Sequence, residues 1–391
     1  HIGGNVNDKR PNPHLSLVRV PASREPVSLL AVDRAISELR RGRMVAVRGN
    51  NGTAALTQAA EGLTQESLEQ LAGLAGAEPA LTITARRAAV LGLAEPDGKI
   101  VTVVTDPALT AAAAIEIADP LANFQMDPLE ITTREAQTYD SESAAVTLTK
   151  LARLLPAAIT APIEAKEADD LARWSMRHDL LFIDSGDIFQ YDRTAARSLR
   201  AVSEAQIPLA GAEDTKVIAF RPADGGIEHL AILIGAPDPS EPVLTRIHSE
   251  CFTGDLLGSL RCDCGDQLRG AISEIAANGA GVLLYLAQEG RGIGLVNKLR
   301  AYTLQDQGFD TIDANEQLGF DADERVFLPA ARILQELGFD TVHLMTNNPL
   351  KVDGLAACGV SVAERVAHTF PSNKHNEDYL RTKIARSGHL F

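Results

Sequence analysis

Apolar and polar positions fall into a succession of short periodic stretches along the chain. Between 30 and 41, Ala31, Ile36 and Leu39 recur at helical spacing, and the stretch ends in Arg40-Arg41-Gly42, a basic last turn with a stopping glycine. Met44-Val45-Ala46-Val47 predicts a short strand. Thr64 opens TQESLEQLAGLAG, an amphipathic helix. The β-branched run 100–105 predicts a strand, 145–155 and 165–178 predict helices, and 180–183 another strand. The sequence loosens at QIPLAGAEDT, around 205–215. Beyond it, 216–222 and 229–235 read as paired strands around the turn Ala223-Asp224-Gly225-Gly226, and 242–250 as a further strand. The remainder alternates: helix 265–278, strand 281–286, helices 292–307 and 324–337, strand 341–346, helix 350–358, strand 360–365, then a polar, partly helical tail over 372–391. This pattern predicts an α/β protein with mixed sheets in two domains, 26–205 and 206–391, behind a flexible polar lead-in at 1–25.

Composition narrows the possible functions. The chain has 391 residues, 45% apolar and 23% charged, which suits two or three globular domains and excludes wholesale disorder. Its 37 Lys and Arg against 52 Asp and Glu give a formal charge of −15. Non-specific nucleic-acid binding needs cationic surface and is not expected. An anionic ligand must instead meet local positive charge. No apolar run is long enough for a membrane span, and the amino end, HIGGNVNDKRPNPH, has no signal-peptide core, so a cytoplasmic protein is expected.

Of the four cysteines, Cys251, Cys262 and Cys264 are clustered and Cys358 is remote. Thiolates bind Zn²⁺ well, and three protein ligands leave a fourth position for the water that catalytic zinc activates by lowering its pKa to about 7. Three buried structural cysteines are the plainer alternative, but RCDCGDQ is too polar and glycine-rich for a core strand. Cys358, in GLAACGV, reads as core. Arg246, His248 and Glu250 alternate on the strand leading to Cys251 and so share one face. Gln288-Glu289-Gly290-Arg291-Gly292-Ile293-Gly294 lies between an apolar strand and a helical stretch, where backbone N–H groups can approach an anion. Thr346-Asn347-Asn348-Pro349 with Lys351 sits at another strand end, where open α/β sheets bind ligands. Asp321-Ala322-Asp323-Glu324-Arg325 reads by itself as an acidic helix start.

Together these residues resemble GTP cyclohydrolase II, the zinc enzyme that opens the guanine imidazole ring at the start of riboflavin synthesis. The matching stretches are RIHSECFTGDLLGSLRCDCGDQL, QEGRGIGLVNKLRAYTLQDQGFDTIDAN, LGFDADER, LMTNNPLK and YLRTKIARSGHLF, in order over about 206–391. The resemblance implies that Cys251, Cys262 and Cys264 hold zinc. It implies that Arg246, Ile247, His248, Ser249, Glu250, Gln267, Glu289, Gly290, Arg291, Thr311, Thr346 and Lys351 bind the nucleotide. Asp323 would be the proton acceptor, Arg325 the nucleophile toward the α-phosphate, and Tyr302 an aid to ring opening. The resemblance further implies Mg²⁺ with the triphosphate, release of formate and pyrophosphate, and a homodimer.

The amino half resembles 3,4-dihydroxy-2-butanone-4-phosphate synthase through AISELRRGRMVAV, AAEGLTQESLEQLAGL, ALTITARRAAVLGL and DLARWSMRHDLLFIDSGDIFQY. That family needs an acidic metal-binding run after the first strand, where this chain has RGNNGTAALT without a carboxylate. It also needs a histidine, and none stands between His14 and His178. The amino half is therefore expected to be a catalytically inactive relic. The carboxyl half departs from its own family at Ala287, usually Arg, at Val326, usually acidic, and at Ala367-His368. Loss of a cation at 287 would suit less phosphate charge, which raises UMP and uracil-ring opening as the alternative. A non-catalytic nucleotide sensor is the third reading.

Overall fold

The computed structural model describes residues 25–123, 128–371 and 373–390. The expected lead-in lies outside these residues apart from its last position. Two seven-stranded sheets organise the chain. The first contains β1 (Val45–Arg48), β2 (Ala54–Ala59), β3 (Ala80–Thr84), β4 (Ile100–Asp106), β5 (Glu130–Glu135), β6 (Ala157–Pro162) and β7 (Leu181–Asp184), in the order β5-β4-β3-β6-β2-β1-β7. Only β1 and β7 pair in parallel. The second contains β8 (Arg200–Gln206), β9 (Thr215–Arg221), β10 (His229–Ile234), β11 (Val243–Ser249), β12 (Gly281–Leu286), β13 (Thr341–Met345) and β14 (Ser361–Val366), in the order β14-β13-β11-β12-β10-β9-β8. Its β14-β13-β11-β12 half is parallel and its β10-β9-β8 half antiparallel. The central β12, GVLLYL, is covered on both faces, which is why it reads as a continuous apolar run.

Local chemistry explains the element ends. Thr64 and Ser67 form a reciprocal capping box at the start of helix Gln65–Ala75, and Gly76 closes it in the left-handed region. The helix expected over 165–178 is two, Ala165–Ala168 and Leu171–Arg177, the second capped by Asp170. The helix expected from 292 starts at Leu295, because Gly290, Arg291, Gly292 and Gly294 all have positive φ. The helix expected from 324 starts at Leu328. Pro329 lacks an N–H and fits only the first turn, which frees 321–327 to form a loop.

Strand β8 pairs with β9, so the second sheet begins upstream of the sequence boundary at 205–206. All seven β8 residues are exposed, and no apolar alternation marks them in the sequence. The two units also share a core: Leu155 of the first packs with Ile293, Ala301, Leu304, Ala314, Leu318 and Phe320 of the second.

Candidate active site

The parallel strands β11, β12 and β13 end on one edge, and the segments that follow them build one cleft. Cys251 follows β11, while Cys262 and Cys264 lie at the start of helix Cys264–Asn278. Their three Sγ atoms lie within 4.8 Å of one another, with Cys251 and Cys262 3.7 Å apart. Tetrahedral zinc with Zn–S bonds of about 2.3 Å sets its sulfurs about 3.8 Å apart, so the spacing fits. Gly254 makes room: a Cβ there would lie 2.8 Å from Cys262 Sγ and 3.1 Å from Cys251 Sγ. Hydrogen bonds from Cys262 and Cys264, assisted by the Lys298 ammonium, hold Cys251 far below the usual thiol range. The bond to Cys251 pushes Cys262 up to about 11. Cys358 packs against the second unit's core, as its sequence context suggests.

Arg246 and His248 are buried on the face of β11 that lines the cleft, followed by Ser249 and Glu250. Ile247 alternates to the other face and packs into the core. Only its carbonyl serves the cleft, accepting from Lys351 Nζ at 3.3 Å. Its side chain therefore does not belong with the cleft residues expected from the resemblance. Arg246 donates to Met345 O at 3.0 Å and to Gln267 Oε1 at 2.6 Å, and burial pulls it down to about 10. Asp255 accepts from Cys251 N–H at 3.0 Å and Tyr285 O–H at 2.9 Å, and holds His248 Nε2 at 3.0 Å. Burial lowers the His248 pKa against the opposing pull of the Asp255 carboxylate. Arg246 Nε and His248 Nδ1 are buried without a partner among the described residues, so the cleft holds unused donor and acceptor capacity.

The turn after β12 is zipped to the loop carrying Asp323 and Arg325. Glu324 N–H donates to Arg291 O at 3.0 Å and Arg291 Nη1 to Ala322 O at 3.3 Å. A Cβ on Gly292 would lie 2.9 Å from the Glu324 backbone. Glu289, Gly290 and Arg291 line the cleft. Glu289 accepts from Phe252 N–H at 2.7 Å and from Lys298 Nζ at 2.8 Å, while Lys298 also reaches Cys251 Sγ at 2.9 Å. Burial opposes the Lys298 charge, but Cys251 and Glu289 outweigh it and raise its pKa. Asp323 reaches the cleft only through Arg325, whose Nε it accepts at 2.8 Å in a bidentate pair. Burial works against both charges, yet the pairing raises the Arg325 pKa and lowers that of Asp323.

Gln267, Tyr302, Thr311, Thr346 and Lys351 complete the expected lining. Lys351 has its pKa pushed well down by burial and by the Arg246 and Arg325 charges, a cost that a bound anion would relieve. The sequence reading did not single out Arg261, Lys298, Asn315, Tyr379, Lys383 or His389, which also line the cleft. Each lies inside a stretch quoted for the resemblance. Lys298 and Tyr302 are four apart on one helix, a spacing that points both at one face. The tail helix Glu377–Ser387 folds back, and Lys383 pairs with buried Asp263 at 2.8 Å. His368 stands in the cleft wall, with burial holding it down to about 4. Ala287 and Val326 instead line a second cavity, between the two units. The residue at 287 therefore faces the amino-terminal unit, which removes the argument from phosphate charge built on it.

A cationic cleft on the carboxyl edge of parallel strands, with three thiols at one end, fits an α/β metallohydrolase acting on a phosphorylated substrate. Comparison with known proteins sharpens this. The family profile described as GTP cyclohydrolase II matches residues 200–367. A GTP cyclohydrolase-2 of Azospirillum brasilense is 54% identical over 368 residues, 94% of this chain and 95% of that one. The riboflavin biosynthesis protein RibBA of Bacillus subtilis is 46% identical over 226 residues, 57% of this chain and 56% of that one. Among solved structures, the two-domain 3,4-dihydroxy-2-butanone 4-phosphate synthase RibBX from A. baumannii aligns with 87% of this chain and 99% of its own, at 18% identity and a TM-score of 0.35. The chain belongs to the GTP cyclohydrolase II family. No helix among the described residues is long and apolar enough to cross a membrane.

Proposed function

We propose that this chain is a zinc-dependent GTP cyclohydrolase that opens the guanine imidazole ring and releases formate and pyrophosphate, the first step of riboflavin biosynthesis. The carrying observation is that a three-thiol cluster and a set of buried cations share one cleft. The close relative of matching length, itself named GTP cyclohydrolase-2, supports the substrate. Cys251, Cys262 and Cys264 would hold zinc, which supplies a water acidic enough to attack at neutral pH. Lys298 donates to Cys251 Sγ and ties it to Glu289. Arg246, Arg291 and Lys351 bind the phosphates, and Mg²⁺ arrives with the triphosphate. Ser249, Glu250, Gln267, Thr311 and Thr346 position the nucleotide, and Tyr302 assists at the base. Arg325 attacks the α-phosphorus as pyrophosphate leaves, and its proton passes along the existing hydrogen bond to Asp323. The pairing keeps the resting guanidinium charged, so this proton moves only as the phosphate arrives.

The amino-terminal unit carries no second activity in this reading. Its run after β1 is committed locally, with Arg48 paired to Asp184 at 2.7 Å and Asn51 accepting from Thr53. Two copies associate through the apolar turn beside the cleft, where Leu256, Leu257 and Leu260 are exposed. The deciding assay incubates the zinc-loaded protein separately with GTP and UMP. Matched formate and pyrophosphate from GTP sustains the proposal. Untouched GTP with loss of the uracil absorbance of UMP replaces it with the alternative, in which His368 would be the departure facing the substrate.

A further inference from the structure

The amino-terminal unit reaches the back of the cleft with two cations from one segment. At the end of helix Ser141–Leu151, Lys150 Nζ lies 2.8 Å from Glu324 Oε1. The same carboxylate accepts from Asp321 N–H at 2.9 Å, closing the loop that presents Asp323 and Arg325. Three residues on, Arg153 is held in a left-handed conformation, φ 57°, and its Nη2 donates to Ala287 O at 2.5 Å. Ala287 opens the turn that carries Glu289 and Arg291, and its own N–H donates to His229 Nδ1 at 3.0 Å.

The fit at this seam is close. A Cβ on Gly294 would sit 2.9 Å from Arg153 Cβ, and one on Gly319 would sit 2.9 Å from Thr84 Oγ1. Asn297 Nδ2 donates to the carbonyls of Arg153 and Leu154, and Thr84 Oγ1 donates to Gly319 O at 2.6 Å. Ala287 and Val326, the two departures away from the cleft, line the cavity where these groups meet. A long side chain at 287 would compete with Arg153 for this space.

We propose that the amino-terminal unit is a built-in positioning element for the cyclohydrolase site, with Lys150 setting the 321–325 loop and Arg153 setting the 287–291 turn. Neither residue lines the cleft, so both act through others: Lys150 through Glu324, and Arg153 through the Ala287 carbonyl. Both contacts hold main-chain segments whose neighbours point into the cleft, so losing them loosens the geometry of reaction more than the binding of the resting nucleotide.

The kinetic part rests on the GTP reading; the structural part does not. Lys150→Ala and Lys150→Arg are prepared in the full, zinc-loaded chain. Amide hydrogen exchange over 321–325 is measured together with kcat and KM for pyrophosphate release from GTP. Lys150→Ala should speed exchange in that loop and lower kcat by about tenfold or more, with zinc content unchanged and KM within about threefold. Lys150→Arg, which keeps the charge and can reach Glu324, should restore both. Arg153→Ala should give the same pattern over 287–291, and Lys150→Ala keeps the proposal testable should that variant fail to fold. Exchange over 321–325 that is unaltered in Lys150→Ala, or a wild-type kcat in that variant, overturns the inference. If the wild-type protein leaves GTP untouched, the substrate reading fails and exchange alone decides the positioning role.

Discussion

Cys262 and Cys264 enter the cluster from the start of a helix, whereas Cys251 enters from a strand end, so the site depends on two separate elements meeting. Cys262→Ser, purified without added zinc, should fall from about one zinc per chain to a small fraction of that. Wild-type stoichiometry by metal analysis would remove Cys262 from the site. Arg325→Lys keeps a charge but loses the fork that grips Asp323 at two points. GTP turnover should drop about a hundredfold or more. UMP, having no phosphoanhydride, should be affected much less if it is a substrate at all, and steady-state rates on both nucleotides separate the cases. At this scale the sequence was most legible where chemistry is rare. Three thiols within fourteen positions, or Arg, His and Glu on one strand face, have few innocent explanations. Lys298 was not legible, because a lysine in a polar helix looks solvated until Glu289 and Cys251 are placed beside it.

Among elements, those with clear apolar periodicity were legible. Strands β9 to β14 and most helices between them lie close to where the pattern puts them, but helix Thr311–Leu318, between the expected helices 292–307 and 324–337, was not predicted. The stretches β2 (AALTQA) and β6 (AAITAP) mix small and polar residues and are almost wholly buried, which erases the alternation that marks a half-exposed strand. Helix Ala111–Ala118 is similarly buried, and β8 is entirely exposed, so neither has an apolar face to read. The junction of β10 with the segment after β12 should respond to pH. His229 accepts the Ala287 N–H, and burial beside Arg153 holds its pKa down to about 4 from 6.5. Above 6.5 neither folded nor unfolded protein protonates it. Between 6.5 and about 4 only the unfolded chain does, so stability falls as pH falls across that window and levels off below it. The thermal unfolding midpoint should decline through this range, and His229→Gln should flatten part of the decline. A midpoint insensitive to pH from 6.5 to 4 would show that His229 is protonated in the folded protein.

For the whole molecule, a chain with net charge −15 concentrates buried cations in one cleft, an arrangement that draws a polyanion to a single place on a repelling surface. The amino-terminal unit should form no 3,4-dihydroxy-2-butanone 4-phosphate from ribulose 5-phosphate with added Mg²⁺. Product above background would restore it as an enzyme. Its structural weight is testable separately. Leu155 belongs to the core shared by both units, and Leu155→Ala should cost about 2–5 kcal/mol, read as loss of stability in both halves together by denaturant titration. That shared core also bears on heredity. A unit with no chemistry of its own would ordinarily be free to decay, yet loss of the amino-terminal unit's packing would uncover Leu304 and Phe320 in the other. A saturation scan selected only for riboflavin prototrophy should therefore tolerate changes at Asn50 and Asn51 and reject them at Thr84, Pro156 and Gly319. Selection on a single reaction would then keep two sheets in the genome.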